Sequence, residues 1–141
     1  MKSNLSRASL LLLLLFSPVA SRLFAAHEPK LGPLPAPVSN NAVAMSHDDH
    51  GAKIFSFMGI GPKKTWDAIT TSAYELNLAT GKWTEKRPVP GVAGRLAASA
   101  VALHEQVFIF GGYVVDGQGG EITLPDLNVF VPAQNLSLIH I

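Results

Sequence analysis

Short apolar runs separated by turn residues recur along most of the chain. The runs are four to eight residues long, and several alternate apolar with polar positions, as half-buried β-strands do. Twelve glycines and ten prolines among 141 residues favour many short strands over a few long helices. The pattern predicts strands within 41–45, 53–58, 72–76, a short run that opens at Trp83, 96–103, 107–110 and 127–131.

These runs occur in the same order twice. Ile54-Phe55 matches Val107-Phe108 at an offset of 53 positions, and 42–44 matches 100–102 at an offset of 58, which predicts five extra residues in the first hairpin. A period near 50 residues made of four short strands is typical of a β-propeller, in which each repeat is one blade. We therefore expect an all-β fold with one blade over 40–90 and a second, incomplete blade over 91–135.

The glycine pair after the sixth run gives this repeat a family resemblance. Val107-Phe-Ile-Phe-Gly-Gly-Tyr113 resembles the core of a kelch repeat, and Met58-Gly59 occupies the corresponding place in the first copy. Trp83 and Arg95 also fit the kelch pattern. The resemblance implies a kelch-type β-propeller, represented here by about two four-stranded blades, with Trp83 packed between neighbouring blades.

The N-terminal residues 1–26 have the pattern of a secretory signal peptide. Lys2 and Arg7 precede an apolar run, 10–16, which is followed by Pro18 and small residues. The run is too short to span a bilayer, which takes about 20 residues. We expect cleavage between 21 and 26 and a periplasmic or secreted protein that starts with a Pro-rich segment, 27–39.

The last six residues, 136–141, do not follow the repeat. Position 137, which aligns with Trp83 at an offset of 54, is a serine. Leu-Ser-Leu-Ile-His-Ile also resembles the translation of a transposon-end sequencing adaptor, so we expect the native sequence to end near Asn135. The alternative is a genuine fourth strand, since the segment alternates weakly. On the adaptor interpretation His140 has no functional role.

Composition excludes several function classes. A net charge of +1 argues against an electrostatic nucleic-acid partner, and we expect no membrane partner after signal cleavage. The absence of cysteine excludes disulfides, thiol catalysis and zinc fingers within this sequence, and fits a bacterial periplasm better than a disulfide-rich secreted protein.

Five residues are candidates for ligand binding on the loops between predicted strands: Arg95, Lys64, Trp66, Asn41 and Tyr113. Arginine can hold a carboxylate through two hydrogen bonds, and lysine and tryptophan can meet an anionic sugar. Each has a structural alternative: an ion pair between blades for Arg95, a solvated loop for Lys64 and Trp66, and a turn cap for Asn41. Tyr113 opens a long loop with Asp116 and Glu121, either a lid or mobile surface.

Two other motifs are weak candidates for a binding site. His47-Asp-Asp-His50 has the residue types of a metal site, but these are also ordinary turn residues, and we predict no metal there. Gly59-Ile-Gly-Pro-Lys-Lys-Thr65 lacks the spacing of a phosphate-binding loop. We predict no cofactor.

Export, the Pro-rich start and the asparagines before the first strand resemble bacterial N-acetylneuraminate epimerases, the sialic acid mutarotases. This resemblance implies an isomerase that interconverts sugar anomers by acid–base ring opening, with the catalytic residues not assignable from this sequence. The alternative is a non-catalytic propeller that binds a glycan or a protein. Galactose oxidase shares the propeller, but its copper chemistry uses a Tyr–Cys crosslink, and this chain has no cysteine.

Overall fold

The structure, a computed structural model, describes residues 29–89 and 92–140, with the side chains up to 136. The predicted signal peptide lies outside these ranges. The described part of the chain is built from ten strands and two single-turn 3₁₀ helices, Trp66–Ala68 and Pro132–Gln134. None of its helices is long and apolar enough to cross a membrane.

The first blade is a four-stranded antiparallel sheet in sequence order. Its strands are β1 (Ala42–Asp48), β2 (Gly51–Phe57), β3 (Ala73–Asn77) and β4 (Lys82–Lys86). Tight turns join β1 to β2 and β3 to β4, and a long loop, 58–72, joins β2 to β3.

The second blade has the same topology with a hairpin inserted. Its strands are β5 (Ser99–Leu103), β6 (Gln106–Phe110), β9 (Leu127–Val131) and β10 (Leu136–His140), in the order β5-β6-β9-β10. The long loop between β6 and β9 contains the hairpin of β7 (Tyr113–Val115) and β8 (Glu121–Thr123). Residues 136–140 thus pair with β9 as a fourth strand. Because backbone pairing does not depend on the origin of a sequence, the adaptor interpretation stays a prediction.

The strand register confirms one predicted offset and corrects the other. Phe55 and Phe57 pair with Ala44 and Ala42, and the residues 53 positions later, Phe108 and Phe110, pair with Val101 and Ser99. The inner strands therefore correspond at an offset of 57, and the predicted offset of 58 was wrong. The first hairpin is longer by four residues, not five, and all four extend β1 and β2 while each turn keeps two residues.

The correct register matters because a shift by one residue turns every side chain of a strand to the other face. The 58-residue match was attractive because both strands are rich in alanine and valine, so the sequences align in two registers. Only pairing with the neighbouring strand distinguishes them.

The core lies between the two blades. One face of the first sheet carries Phe55 and Phe57, which pack against the facing side of the second sheet at Phe130. The ring centroids of Phe57 and Phe130 are 5.4 Å apart at an interplanar angle of 67°, an edge-to-face contact. Small residues of the inner strands complete the cluster, and Met58, Val89, Val107 and Ile109 are buried in it.

The other face of the first blade is turned away from the second blade and meets the Pro-rich segment. Trp83 lies on this face, half-buried, and its Nε1 donates a hydrogen bond of 2.9 Å to the carbonyl oxygen of Gly32. Trp83 therefore does not lie between the two described blades, and its packing between neighbouring blades stays a prediction. Strand alternation places Trp83 beside Leu76, opposite to the face that Phe55 occupies.

Candidate functional site

All five predicted ligand-binding residues lie at one end of the two blades, which we call the loop face. It consists of 39–41 and 58–72 of the first blade and 95–98 and 111–126 of the second. Two backbone hydrogen bonds join the blades here: Gly59 N–H to the carbonyl of Arg95, at 3.1 Å, and Ala97 N–H to the carbonyl of Asn40, at 3.0 Å. The opposite end, the hairpin face, carries the tight turns.

Repeated backbone geometry builds the loop face. Met58 and Gly111 share a left-handed conformation, with φ of 58° and 66°, and Asn40 and Ala97 share another, with φ of 54° and 53°. The predicted equivalence of Met58-Gly59 with the kelch glycine pair is therefore confirmed by conformation. The first blade uses methionine because its side chain is buried in the core, 1% exposed, where a glycine would leave a cavity.

Arg95 is held below the surface of the loop face. Its side chain is 2% exposed, and its two terminal nitrogens donate hydrogen bonds of 2.9 and 3.0 Å to the carboxylate of Asp126. The same guanidinium donates a bond of 3.2 Å to the carbonyl of Gly111, while its Nε has no partner. Arg95 is thus in an ion pair, but both partners belong to the second blade, so the predicted pairing between blades was wrong. A ligand carboxylate would have to displace Asp126 to reach Arg95.

Asp126 is a site residue that sequence reasoning missed. The hydrogen bonds from Arg95 lower the pKa of this carboxyl below its usual value of 3.8, burial opposes that effect, and a 3.0 Å bond from Asn128 Nδ2 adds to the lowering. The first blade has Val38 and Ser72 at the corresponding positions, so the pair does not repeat and the period could not reveal it. An aspartate directly before β9 was the only available signal.

Lys64 and Trp66 are the exposed members of the predicted set. Lys64 adopts a left-handed conformation, and its ammonium donates a hydrogen bond to the hydroxyl of Ser39. Trp66 starts a 3₁₀ helix and is 55% exposed. A Cβ added to Gly117 would lie 3.3 Å from Trp66 Cζ2, so the tip of the β7–β8 hairpin lies against the indole ring. The two blades therefore meet again at this ring.

Asn41 and Tyr113 are half-buried and lie closer to the inner strands. Asn41 Nδ2 donates a bond of 2.9 Å to the hydroxyl of Ser56, which is buried. Tyr113 begins β7, and its backbone exchanges two hydrogen bonds with Leu96. Asn41 therefore has a structural partner through its side-chain amide nitrogen, and Tyr113 has one through its backbone.

The loop interpreted as either a lid or mobile surface contains the β7–β8 hairpin. The carboxylate of Asp116 accepts hydrogen bonds from the backbone N–H groups of Gln118 and Gly120, at 2.9 and 2.7 Å. This side-chain cap closes the turn between β7 and β8, an arrangement in which aspartate commonly replaces a backbone acceptor. Glu121 is exposed on β8.

The His47-Asp-Asp-His50 motif lies on the hairpin face, at the turn between β1 and β2. Asp48 accepts a bond of 2.8 Å from His50 N–H and forms a 2.7 Å ion pair with Lys53, which lowers the pKa of Asp48. The described residues contain no group of three or more His, Asp or Glu side chains arranged to hold a metal. A groove of about 390 Å³ lies beside the motif, between the two blades.

Neither a family model nor a curated protein matches this sequence. Among solved structures, one described as "Structure of YjhT" is similar, with 21% sequence identity and a TM-score of 0.57. The match covers 79% of this chain. The described residues form part of a kelch-like β-propeller. This chain spans 29% of the similar structure, so that structure extends well beyond the region that the two share.

Proposed function

We propose that this chain is part of an exported kelch-like propeller that acts on a carbohydrate, and specifically a mutarotase that resembles bacterial N-acetylneuraminate epimerase. The observation that carries the proposal is the grouping of Asn41, Lys64, Trp66 and Tyr113 on the loop face. The loops of both blades contribute to this group, and backbone hydrogen bonds hold the two blades together there. Sites assembled from loops on a rigid scaffold are the usual place for binding.

The exposed side chains suit an anionic sugar. The Lys64 ammonium can pair with a carboxylate, and the free part of the Trp66 ring can stack on the apolar face of a pyranose. Asn41 and Tyr113 can exchange hydrogen bonds with hydroxyl groups through the polar atoms that are not already used. Mutarotation also needs a general acid and a general base, and we assign neither role to the described residues. We assign to Arg95 the role of ordering the loop that begins at Gly111.

NMR exchange spectroscopy of N-acetylneuraminate tests the enzymatic role. The purified full-length propeller should accelerate exchange between the α and β anomers, and Trp66→Ala or Lys64→Ala should reduce that acceleration by tenfold or more. Lys63→Ala is the matched control, because Lys63 is an exposed neighbour on the same loop and has no assigned role. Exchange that stays at the buffer rate would contradict mutarotase activity.

A non-catalytic glycan-binding propeller is the second candidate, and the Arg95–Asp126 pair favours it. The terminal nitrogens of the buried Arg95 are already bonded to Asp126, so this guanidinium does not indicate a catalytic centre. In this case, titration calorimetry should show glycan binding that Trp66→Ala abolishes, while the rate of anomer exchange stays unchanged. Binding together with acceleration would favour the mutarotase.

Export is part of the proposal and has its own test. Expression in a bacterium with the native N-terminus should place the protein in the periplasmic fraction, and mass spectrometry should find a new N-terminus between residues 21 and 26. An intact N-terminus on protein from the cytoplasmic fraction would contradict export.

A further inference from the structure

The loop between β6 and β9, residues 111–126, is fixed at its base by one buried side chain. Arg95 donates hydrogen bonds to the carbonyl oxygen of Gly111, where the loop starts, and to the carboxylate of Asp126, where it ends. The backbone N–H of Gly111 also donates a bond of 3.3 Å to the carbonyl oxygen of Asp126. The guanidinium therefore joins both ends of the loop, and we call Arg95, Gly111 and Asp126 the clamp.

The core side of the clamp is also fixed. Asn128, which is completely buried, donates a bond of 3.0 Å from Nδ2 to the carboxylate of Asp126. Among the salt bridges of the described residues, only one includes Arg95, and its partner is Asp126. Loss of this carboxylate would leave a buried guanidinium without a counter-ion, so Asp126 is the residue on which the clamp depends.

The β7–β8 hairpin, which the clamp carries, has little support of its own. The carboxylate of Asp116 closes its turn through two backbone N–H groups, so the hairpin is complete as a local unit. Residues 116–123 are all exposed. The place of the hairpin on the loop face therefore depends on its base and on what its tip contacts.

The tip contacts Trp66 of the first blade. A Cβ added to Gly117 would lie 3.3, 3.4 and 3.8 Å from Cζ2, Cε2 and Cη2 of Trp66, which are atoms of the six-membered ring. Trp66 starts a single-turn 3₁₀ helix that has no buried residue, and it is 55% exposed. Its own helix therefore gives the indole ring no anchor in the core, whereas the hairpin tip supports the ring from the second blade.

We propose that Arg95 and Asp126 are a positioning pair for Trp66. The clamp sets the place of the β7–β8 hairpin, and the tip of the hairpin fixes the indole ring, so neither charged residue touches a ligand. The purpose of a fixed ring rests on the proposed function, because a side chain that is already ordered loses less entropy when a sugar stacks on it.

Fluorine NMR of the full-length propeller labelled with 6-fluorotryptophan tests the proposal. The label lies on Cη2, one of the ring atoms beside Gly117, and Trp66→Phe and Trp83→Phe assign the two resonances. Asp126→Asn should move the Trp66 resonance toward its position in the urea-unfolded protein. The solvent isotope shift of that resonance should rise by up to about twofold, because the residue is already 55% exposed before the loop opens.

Two comparisons separate positioning from a general loss of structure. The Trp83 resonance should stay unchanged in Asp126→Asn, because Trp83 lies on the face of the first blade that is turned away from the second. Glu121→Gln is the matched control, since it removes a carboxylate from an exposed position of the same loop, and it should move neither resonance.

A shortened hairpin tests the route through the tip with the clamp intact. Val115 and Glu121 are paired across the hairpin, so a two-residue Asn-Gly turn can replace residues 116–120 and remove the contact with Trp66. This variant should move the Trp66 resonance as Asp126→Asn does. Addition of Asp126→Asn to it should cause no further change, because both changes act through one contact.

An unchanged Trp66 resonance in Asp126→Asn would overturn the positioning role. So would equal changes at Trp66 and Trp83, which indicate loss of structure throughout, or a further change on adding Asp126→Asn to the shortened hairpin. Titration with N-acetylneuraminate is a separate measurement. Absence of binding to the unchanged protein would contradict the proposed function, whereas the fluorine resonances alone decide whether the pair positions Trp66.

Discussion

Gly111 and Gly112 are adjacent and both left-handed, but only Gly112 is also restricted by a close approach of the backbone. Both have positive φ, 66° at Gly111 and 86° at Gly112. A Cβ at Gly111 would meet no atom within 4 Å, whereas a Cβ at Gly112 would lie 2.6 Å from the carbonyl oxygen of Leu96. That carbonyl accepts the hydrogen bond from Tyr113 N–H, so the close approach belongs to the framework of the loop face.

We predict that Gly112→Ala destabilises the protein more than Gly111→Ala. In the Gly111 variant the free energy of unfolding should fall only by the cost of placing alanine in a left-handed conformation, about 1–2 kcal/mol. The Gly112 variant must also move the backbone away from Leu96, so its free energy of unfolding should fall by about 3 kcal/mol. Denaturant unfolding of both variants measures the difference, and equal losses would contradict a steric role for Gly112.

The Arg95–Asp126 pair predicts a pH dependence of stability. The pKa of Asp126 is lowered in the folded protein, so its contribution is complete above the unfolded value of 3.8 and is lost as the pH falls through the folded value. The melting temperature should therefore drop between about pH 5 and about pH 2. Asp126→Asn should show a smaller drop. The pKa of Asp48 is also lowered, but Asp48 is present in both the unchanged protein and the Asp126→Asn variant, so its effect cancels in the comparison. Parallel curves of melting temperature against pH would contradict a role for Asp126.

The two inner hairpins show how similar elements can differ in their turns. Each has a two-residue turn, but only the second, His104-Glu105, has both residues left-handed, with φ of 47° and 62°. Two positive φ angles define a type I′ turn, which favours Asn-Gly. The first hairpin instead places the positive φ on Gly51, after Asp49-His50. A non-glycine pair therefore carries backbone strain in the second hairpin only.

Replacing His104-Glu105 by Asn-Gly should stabilise the protein. The substitution relieves the strain at both residues, and we expect a gain of about 1 kcal/mol in the free energy of unfolding. The same replacement at Asp49-His50 is the control and should give no gain, because neither residue there has positive φ. Thermal melts of the two variants provide the comparison. A lower melting temperature for the second-hairpin variant would count against the turn assignment.

The sequence predicted the framework well and the local contacts poorly. The four strands of the first blade and β5, β6 and β9 were predictable, because each is a short apolar run between turn residues. The β7–β8 hairpin was missed, since its glycines indicate a loop and its strands are only three residues long. The partner of Arg95 was also missed, because Asp126 is 31 positions away and only the folded loop brings them together.

At the scale of the whole molecule, one apolar cluster serves both blades. Phe130 of the second blade contacts the rings of Phe55 and Phe57 of the first, at centroid distances of 5.7 and 5.4 Å. All three are buried completely or almost so. Because neither sheet has this core alone, the two blades should unfold together.

We predict that Phe130→Ala destabilises both blades in a single transition. Loss of a fully buried phenylalanine costs about 3–5 kcal/mol, through lost transfer energy and the cavity that remains. Fluorescence of Trp83 in the first blade and far-ultraviolet circular dichroism should report the same lowered melting temperature. Ile122→Ala is the control, with a change below about 0.5 kcal/mol. Separate transitions for the two probes would show that the blades are independent.

The loops between the second and third strands of each blade have a consequence for how such proteins diversify. Residues 58–72 fold around a 3₁₀ helix, and residues 111–126, only one residue more, fold as a β-hairpin. The flanking strands keep the same register in both blades. A graft at this position therefore exchanges one loop surface for another without moving the sheets, and the loop face can be engineered one blade at a time.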